Sequence, residues 1–192
     1  MQNIFEIRIH ARAQQGANTV AHFFAESVIN YGKYAQAFPY FGPERSGSPL
    51  MSFVRISDEP IRIYSQVYNP NISVVIDQTL LNTENVAKDF TEKQMVLVNS
   101  PKSSEQINQI LKSKAKIYSV DANKISEEIF GKTIPNTVLL GALIKVLEID
   151  NQKFITLDHV VKTINQEFPA RYGQLLTDQN VKAVKTGYDS VI

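Results

Sequence analysis

The chain has no cysteine and no tryptophan, and only three histidines among its 192 residues. Without thiolates it cannot hold an iron–sulfur cluster in the usual all-cysteine way, build a Cys-ligated zinc site, form a disulfide or use a cysteine nucleophile. Any such chemistry must sit on another chain. Charge of either sign is in no excess, because 20 Lys+Arg face 19 Asp+Glu for a net charge of +1. That balance offers little to a phosphate backbone or an anionic lipid surface, so neither nucleic acid nor membrane is an expected partner. Long apolar runs are also missing. No stretch approaches the roughly 20 apolar residues of a membrane span, and MQNIFEIRIH has neither the basic start nor the apolar core of a secretory signal. The chain is expected in the cytoplasm, whose reducing conditions suit a cysteine-free protein. Its length suits one domain over residues 1–192, since a chain of this size buries roughly 70% of its unfolded surface.

Among the residues that are present, 43% are apolar, and their spacing predicts an α/β fold. Ile4–Ile9 alternates like a strand, and a polar loop is expected from His10 to Asn18. Val20, Phe23, Phe24, Val28 and Tyr31 then fall on one helical face, with Gly32 placed to end the helix. Three short strands are expected at Lys33–Tyr40, Met51–Ile56 and Ile61–Val67, the first two separated by a loop with two Gly and two Pro in nine residues. From residue 72 the pattern changes to continuous apolar strands separated by helices, as in a parallel sheet buried on both faces. Ser73–Ile76 stops at Asp77, Met95–Val98 at Asn99 and Lys116–Val120 at Asp121. Ser103 and Gln106 have capping-box spacing, while Asp121 and Gly131 are placed to open and close the next helix. The last third is helical by period, with stripes at Val138–Leu147 and Leu157–Phe168 and a short final helix carrying Val181, Val184 and Tyr188. The expectation is a Rossmann-like, mostly parallel sheet flanked by helices, with a helical C-terminal third.

Most motif searches fail. Gly131-Lys132-Thr133 ends like a phosphate-binding loop, but Ser126 stands where its first glycine is required. Gly42 and Gly47 have the glycine spacing, yet Ser48 replaces the lysine. A dinucleotide fingerprint, a hydrolase elbow and the HExxH zinc pattern are all missing, so no catalytic residue and no metal ligand is assigned. His22 and His159 lie within predicted helices, and His10 lies near a strand end, where open α/β sheets bind ligands. Two loops remain. His10-Ala11-Arg12-Ala13-Gln14-Gln15-Gly16 precedes a helix whose N-terminus can receive an anion with Arg12 in support, or it simply caps that helix. Gly42-Pro43-Glu44-Arg45-Ser46-Gly47-Ser48-Pro49 is either a rigid binding loop or an ordinary surface connection.

At these same segments the sequence resembles the gamma subunit, or gamma domain, of pyruvate and related 2-oxoacid:ferredoxin oxidoreductases. The family motif H-G-R-G-G-Q-G stands here as His10-Ala11-Arg12-Ala13-Gln14-Gln15-Gly16, and G-K-Y-x-Q-A-F-P-x-F-G-P-E-R-R-G-x-P as Gly32 to Pro49. Further blocks follow in order, at Phe53–Arg62, Gln66–Pro70, Val74–Asp77, Leu97–Ser100, Val120–Ala122 and Asn136–Ala142. The resemblance implies oxidative decarboxylation of a 2-oxoacid, with pyruvate as the expected one, to its acyl-CoA with electrons passed to ferredoxin. It places thiamine diphosphate and magnesium on alpha and beta subunits, [4Fe–4S] clusters on beta and delta, and no cofactor on the gamma chain. His10, Arg12, Gln15, Gly16, Gly42, Pro43, Glu44, Arg45 and Gly47 become candidates for coenzyme A or subunit contact. Two departures bear on that role. Ala11, Ala13 and Gln14 replace three glycines, which makes positive φ harder to reach in the first loop, and Ser46 replaces an arginine in the second. The rival readings are a coenzyme A or nucleotide-binding module, the same subunit in a 2-oxoisovalerate or 2-oxoglutarate enzyme, and a stand-alone dehydrogenase or methyltransferase.

Overall fold

The structure, a computed structural model, describes residues 4–40 and 47–192. Its centre is a six-stranded sheet in the order β2-β3-β1-β4-β5-β6. These strands are β1 (Phe5–Arg12), β2 (Tyr34–Tyr40), β3 (Pro49–Ser57), β4 (Ile72–Val75), β5 (Met95–Asn99) and β6 (Lys116–Val120). The pairs β1–β4, β4–β5 and β5–β6 are parallel, while β3 runs antiparallel to both of its neighbours. Six helices accompany the sheet among the described residues: α1 (Ala17–Ile29), α2 (Ser104–Leu111), α3 (Ala122–Phe130), α4 (Asn136–Ile149), α5 (Leu157–Tyr172) and α6 (Gln174–Asp189). The expected α/β architecture and its helical last third are both present.

Pairing register decides what each face of the sheet meets. Ile7, Ile9 and Ala11 of β1 share one face with Val54 and Ile56 of β3 and with Val74 and Leu97, in the cluster that also takes in residues of α1 and α3 to α6. On the other face, Val75, Val96 and Val98 meet Leu80, Phe90 and Ile107 in a second cluster. With β4 and β5 buried on both sides, their sequences read as unbroken apolar runs rather than alternations. Ser103 and Gln106 do form a capping box, Asp121 accepts from the Lys124 amide, and Gly131 ends α3 at φ 68°.

Three expectations need correction. Ile61–Val67 is not a strand; its carbonyls are taken by the Arg55 side chain instead of a neighbouring strand. The polar loop begins later than expected, because His10, Ala11 and Arg12 pair with Met51, Leu50 and Pro49 and carry β1 on to Arg12. The final helix is not short but 16 residues long. It crosses α4 at glycines: a Cβ on Gly141 would stand 1.9 Å from the Val184 carbonyl oxygen, and one on Gly187 would stand 2.0 Å from that of Val138. The two backbones touch there directly.

Candidate functional site

In an open α/β sheet the ligand crevice lies beyond the carboxyl ends of the strands, where successive connections leave in opposite directions. Here that point lies between β1, whose chain turns outward through α1 to β2, and β4, whose chain continues to β5. A cleft of about 490 Å³ opens at this place. Its walls include Gln14, Gln15, Gly16, Asp77, Asn99 and Asn136, drawn from segments more than 100 residues apart.

The strand-ending polar residues hold the walls in place. Asp77 Oδ1 accepts from the Thr79 amide and hydroxyl at 2.9 and 2.7 Å, and Oδ2 accepts from Gln15 Nε2 at 2.9 Å. Burial pushes the Asp77 carboxyl up, but the hydrogen bonds from Thr79 and Gln15 and the charge of Arg12 outweigh it and hold it below the usual range. Gln15 Oε1 in turn accepts from the Arg12 amide at 2.8 Å. One glutamine thus ties the end of β1 to the end of β4. Buried Asn99 does the same on the far side, donating to the Ile76 carbonyl and to Asn123 Oδ1 while accepting from the Ala122 amide at 3.0 Å.

Two helices point their N-termini into the cleft, α1 capped by Gly16 and α4 preceded by Pro135, and neither has a side-chain cap. Gly16 sits at φ 79°, and a Cβ there would come within 2.9 Å of Asn136 Nδ2. The glycine therefore permits both the turn into α1 and the approach of α4. Gln14 stands at φ 75°, so this side chain adopts the left-handed backbone that glycine would favour. Loss of the glycine makes that conformation costlier without preventing it.

The nine sequence candidates fall into separate places. Gln15 and Gly16 line the cleft. Arg12 stands beside it, with Nη1 donating to the Gly47 carbonyl at 2.9 Å, Nη2 to Thr79 Oγ1 at 2.9 Å, and Nε 3.4 Å from Asp77 Oδ2. Its guanidinium, about a third exposed, bonds within the chain and fastens Gly47 to the segment after β4. His10 is buried in the body of β1, where Nε2 accepts from Arg8 Nε at 3.0 Å, and it does not reach the cleft. Burial, followed by the charge of Arg8, lowers its pKa to about 3. Gly42, Pro43, Glu44 and Arg45 lie outside the described residues. Asp77 and Asn99 stop apolar strands and, like Asn136, fall within blocks that resemble the family, but no local signal shows that the three line one cleft. No group of three or more His, Cys, Asp or Glu that could hold a metal ion occurs among the described residues.

The whole arrangement matches known proteins end to end. Residues 6–190 match the model of the pyruvate ferredoxin/flavodoxin oxidoreductase family. The chain belongs to this family. It is 40% identical over 190 residues to the pyruvate/ketoisovalerate oxidoreductases common subunit gamma of Thermococcus litoralis, covering 98% of each chain. It is also 40% identical over 187 residues to pyruvate synthase subunit PorC of Thermotoga maritima, covering 97% of this chain and 94% of that one. The crystal structure of pyruvate oxidoreductase subunit PORC from Thermotoga maritima superposes with a TM-score of 0.86 at 36% identity, covering 100% of this chain and 98% of the other. Within the family the chain is of the gamma type.

Proposed function

We propose that this protein is the gamma subunit of a heteromeric pyruvate:ferredoxin oxidoreductase, a complex that converts pyruvate and coenzyme A to acetyl-CoA and CO2 while reducing ferredoxin. The carrying observation is likeness over nearly the whole of both chains to gamma subunits of pyruvate enzymes, with the cleft-forming segments included. A chain without thiolates leaves the [4Fe–4S] clusters to partners, and the reading assigns thiamine diphosphate, magnesium and the clusters to alpha, beta and delta subunits in the cytoplasm. Residues 1–192 then act as one gamma domain. In the same reading the cleft receives a polar part of coenzyme A. Gln78 Nε2, Asn123 Nδ2, Asn136 Nδ2 and the uncapped start of α1 offer donors there, so recognition rests on hydrogen bonds rather than on Arg12.

Co-expression of the chain with its neighbouring subunits tests the proposal. The complex is expected to reduce a viologen dye only with both pyruvate and coenzyme A present, and the isolated chain is expected to be inactive. Pyruvate oxidation by the isolated chain, or recovery of no thiamine- or cluster-bearing partner, refutes it. A second acid, 2-oxoisovalerate, is favoured by one observation: the Thermococcus litoralis relative is named as common to pyruvate and ketoisovalerate oxidoreductases. Competition between the two acids in the same assay separates the readings.

A further inference from the structure

Among the described residues, the face of the sheet opposite α1 and α4 has no helix over its antiparallel end. Its cover is residues 58–70, a segment without regular structure that leads from β3 to β4. Side chains from the sheet hold this strap from below. Arg55 of β3, 1% exposed, donates to the carbonyls of Ile63, Ser65 and Gln66 at 3.1, 2.7 and 3.3 Å, and its Nε pairs with Glu6 at 2.8 Å. Arg8 of β1 donates to the Tyr68 carbonyl at 3.3 Å. Val67 and Pro70 are buried, and Glu6 exchanges two hydrogen bonds with Asn71 at the far end. A buried arginine bonded to three carbonyls within four residues of irregular backbone leaves little freedom to the strap.

The side chains between these anchors face outward. Tyr64 is 87% exposed, Tyr68 77% and Ile63 41%. The outer strand β2 continues the patch, since its register places Tyr34 opposite Ser57 and Tyr40 opposite Met51, on the strap's side of the sheet. These two tyrosines are 48% and 38% exposed. An aromatic side chain offers roughly 150–250 Å². The exposed parts of the five residues therefore amount to about 600 Å², most of the ~800 Å² that each partner contributes to a standard interface. Tyrosine is among the residues enriched at interface centres, and a surface already held rigid loses little entropy on docking.

We infer that this tyrosine-faced strap, with the outer side of β2, is the surface on which another subunit of the oxidoreductase docks, presenting an apolar patch edged by acceptors for the tyrosine hydroxyls. The inference rests on the heteromeric reading proposed above and adds to it the place of contact. The strap is made firm by Arg55 and Arg8 so that its aromatics meet the partner in a fixed arrangement.

The test uses the whole complex, co-expressed with either the wild-type chain or the Tyr64→Ser/Tyr68→Ser double variant. Both side chains are more than three-quarters exposed, so the isolated variant is expected to keep the wild-type unfolding midpoint. Retention of partner subunits on the tagged variant is expected to fall at least tenfold, and amides of residues 58–70 should gain hydrogen-exchange protection in the wild-type complex. Wild-type retention by the variant, with no added protection in the strap, overturns the docking surface while leaving the subunit reading intact. If the isolated chain self-associates through these tyrosines and partner retention is unaffected, the occupant is a second copy and the inference fails. Failure of the wild-type chain to recover any partner removes both readings.

Discussion

Replacing His10 by Gln keeps an acceptor for the Arg8 guanidinium and removes a titrating group from the middle of β1. In the native protein the imidazole accepts from Arg8 through Nε2, so its single proton resides on Nδ1. Burial, then the charge of Arg8, holds its pKa to about 3, against 6.5 in an exposed chain. Below pH 6.5 the unfolded chain therefore takes up a proton that the native state refuses, and stability is lost as pH falls from there toward 3. At pH 5 the loss amounts to about 2 kcal/mol, or roughly 4–8 °C in Tm for a chain of this length. Asp77, whose carboxyl is held below its ordinary value, loses its contribution only as pH falls through and below that value, so it is unchanged between pH 7.5 and 5. Glu167 is pushed up by burial and by Glu26, and acts in the opposite sense, but equally in both proteins. Urea unfolding followed by circular dichroism at pH 7.5 and 5.0 gives the comparison. The wild-type protein should lose about 2 kcal/mol more than His10→Gln between the two conditions. Equal losses would refute the assignment of this pH dependence to His10.

Two further substitutions probe the backbone. Gly187→Ala places a methyl group against the Val138 carbonyl oxygen and should cost about 3 kcal/mol, read as a lower urea midpoint at unchanged slope; a loss below about 0.5 kcal/mol would mean that α4 and α6 separate freely. Gln14→Gly removes a side chain from left-handed backbone and should stabilise the protein by about 0.5–1 kcal/mol in the same assay; destabilisation would show that the Gln14 side chain does more than line the cleft.

What could be read in advance follows the range of the interactions involved. The apolar runs at Ser73–Ile76 and Met95–Val98, the capping box at Ser103 and the stop at Gly131 are local signals, and each marks an element that forms. Ile61–Val67 carries the same β-branched and aromatic residues, yet its backbone is claimed by an arginine projecting from another strand, a contact that propensity does not encode. The end of β1 differs from the sequence expectation for a related reason: His10 and Arg12 look like loop residues until β3 supplies their pairing partners. At the cleft, Gln15 and Gly16 stand out by motif. Asp77 and Asn99 stand out as strand ends within matching blocks, and the packing of Asn136 against Gly16 joins positions 120 residues apart. The ion pair of Arg12 is not legible in the motif, because its acid, Asp77, is brought to it only by the parallel pairing of β1 with β4.

The crossing of α4 and α6 also bears on how this protein can change. In most cores a larger residue is accommodated when neighbouring side chains adopt other rotamers, so a second substitution nearby can restore the fit. At Gly141 and Gly187 the facing atoms are the carbonyl oxygens of Val184 and Val138, and a carbonyl has no rotamer to change. No exchange of neighbouring side chains can rescue a substitution at either glycine. Only displacement of a whole helix can, and one of these helices carries Asn136 at its first turn. Sequence drift in the C-terminal third is thereby coupled to the shape of a cleft whose other walls include the loops after β1 and β4 and the end of β5.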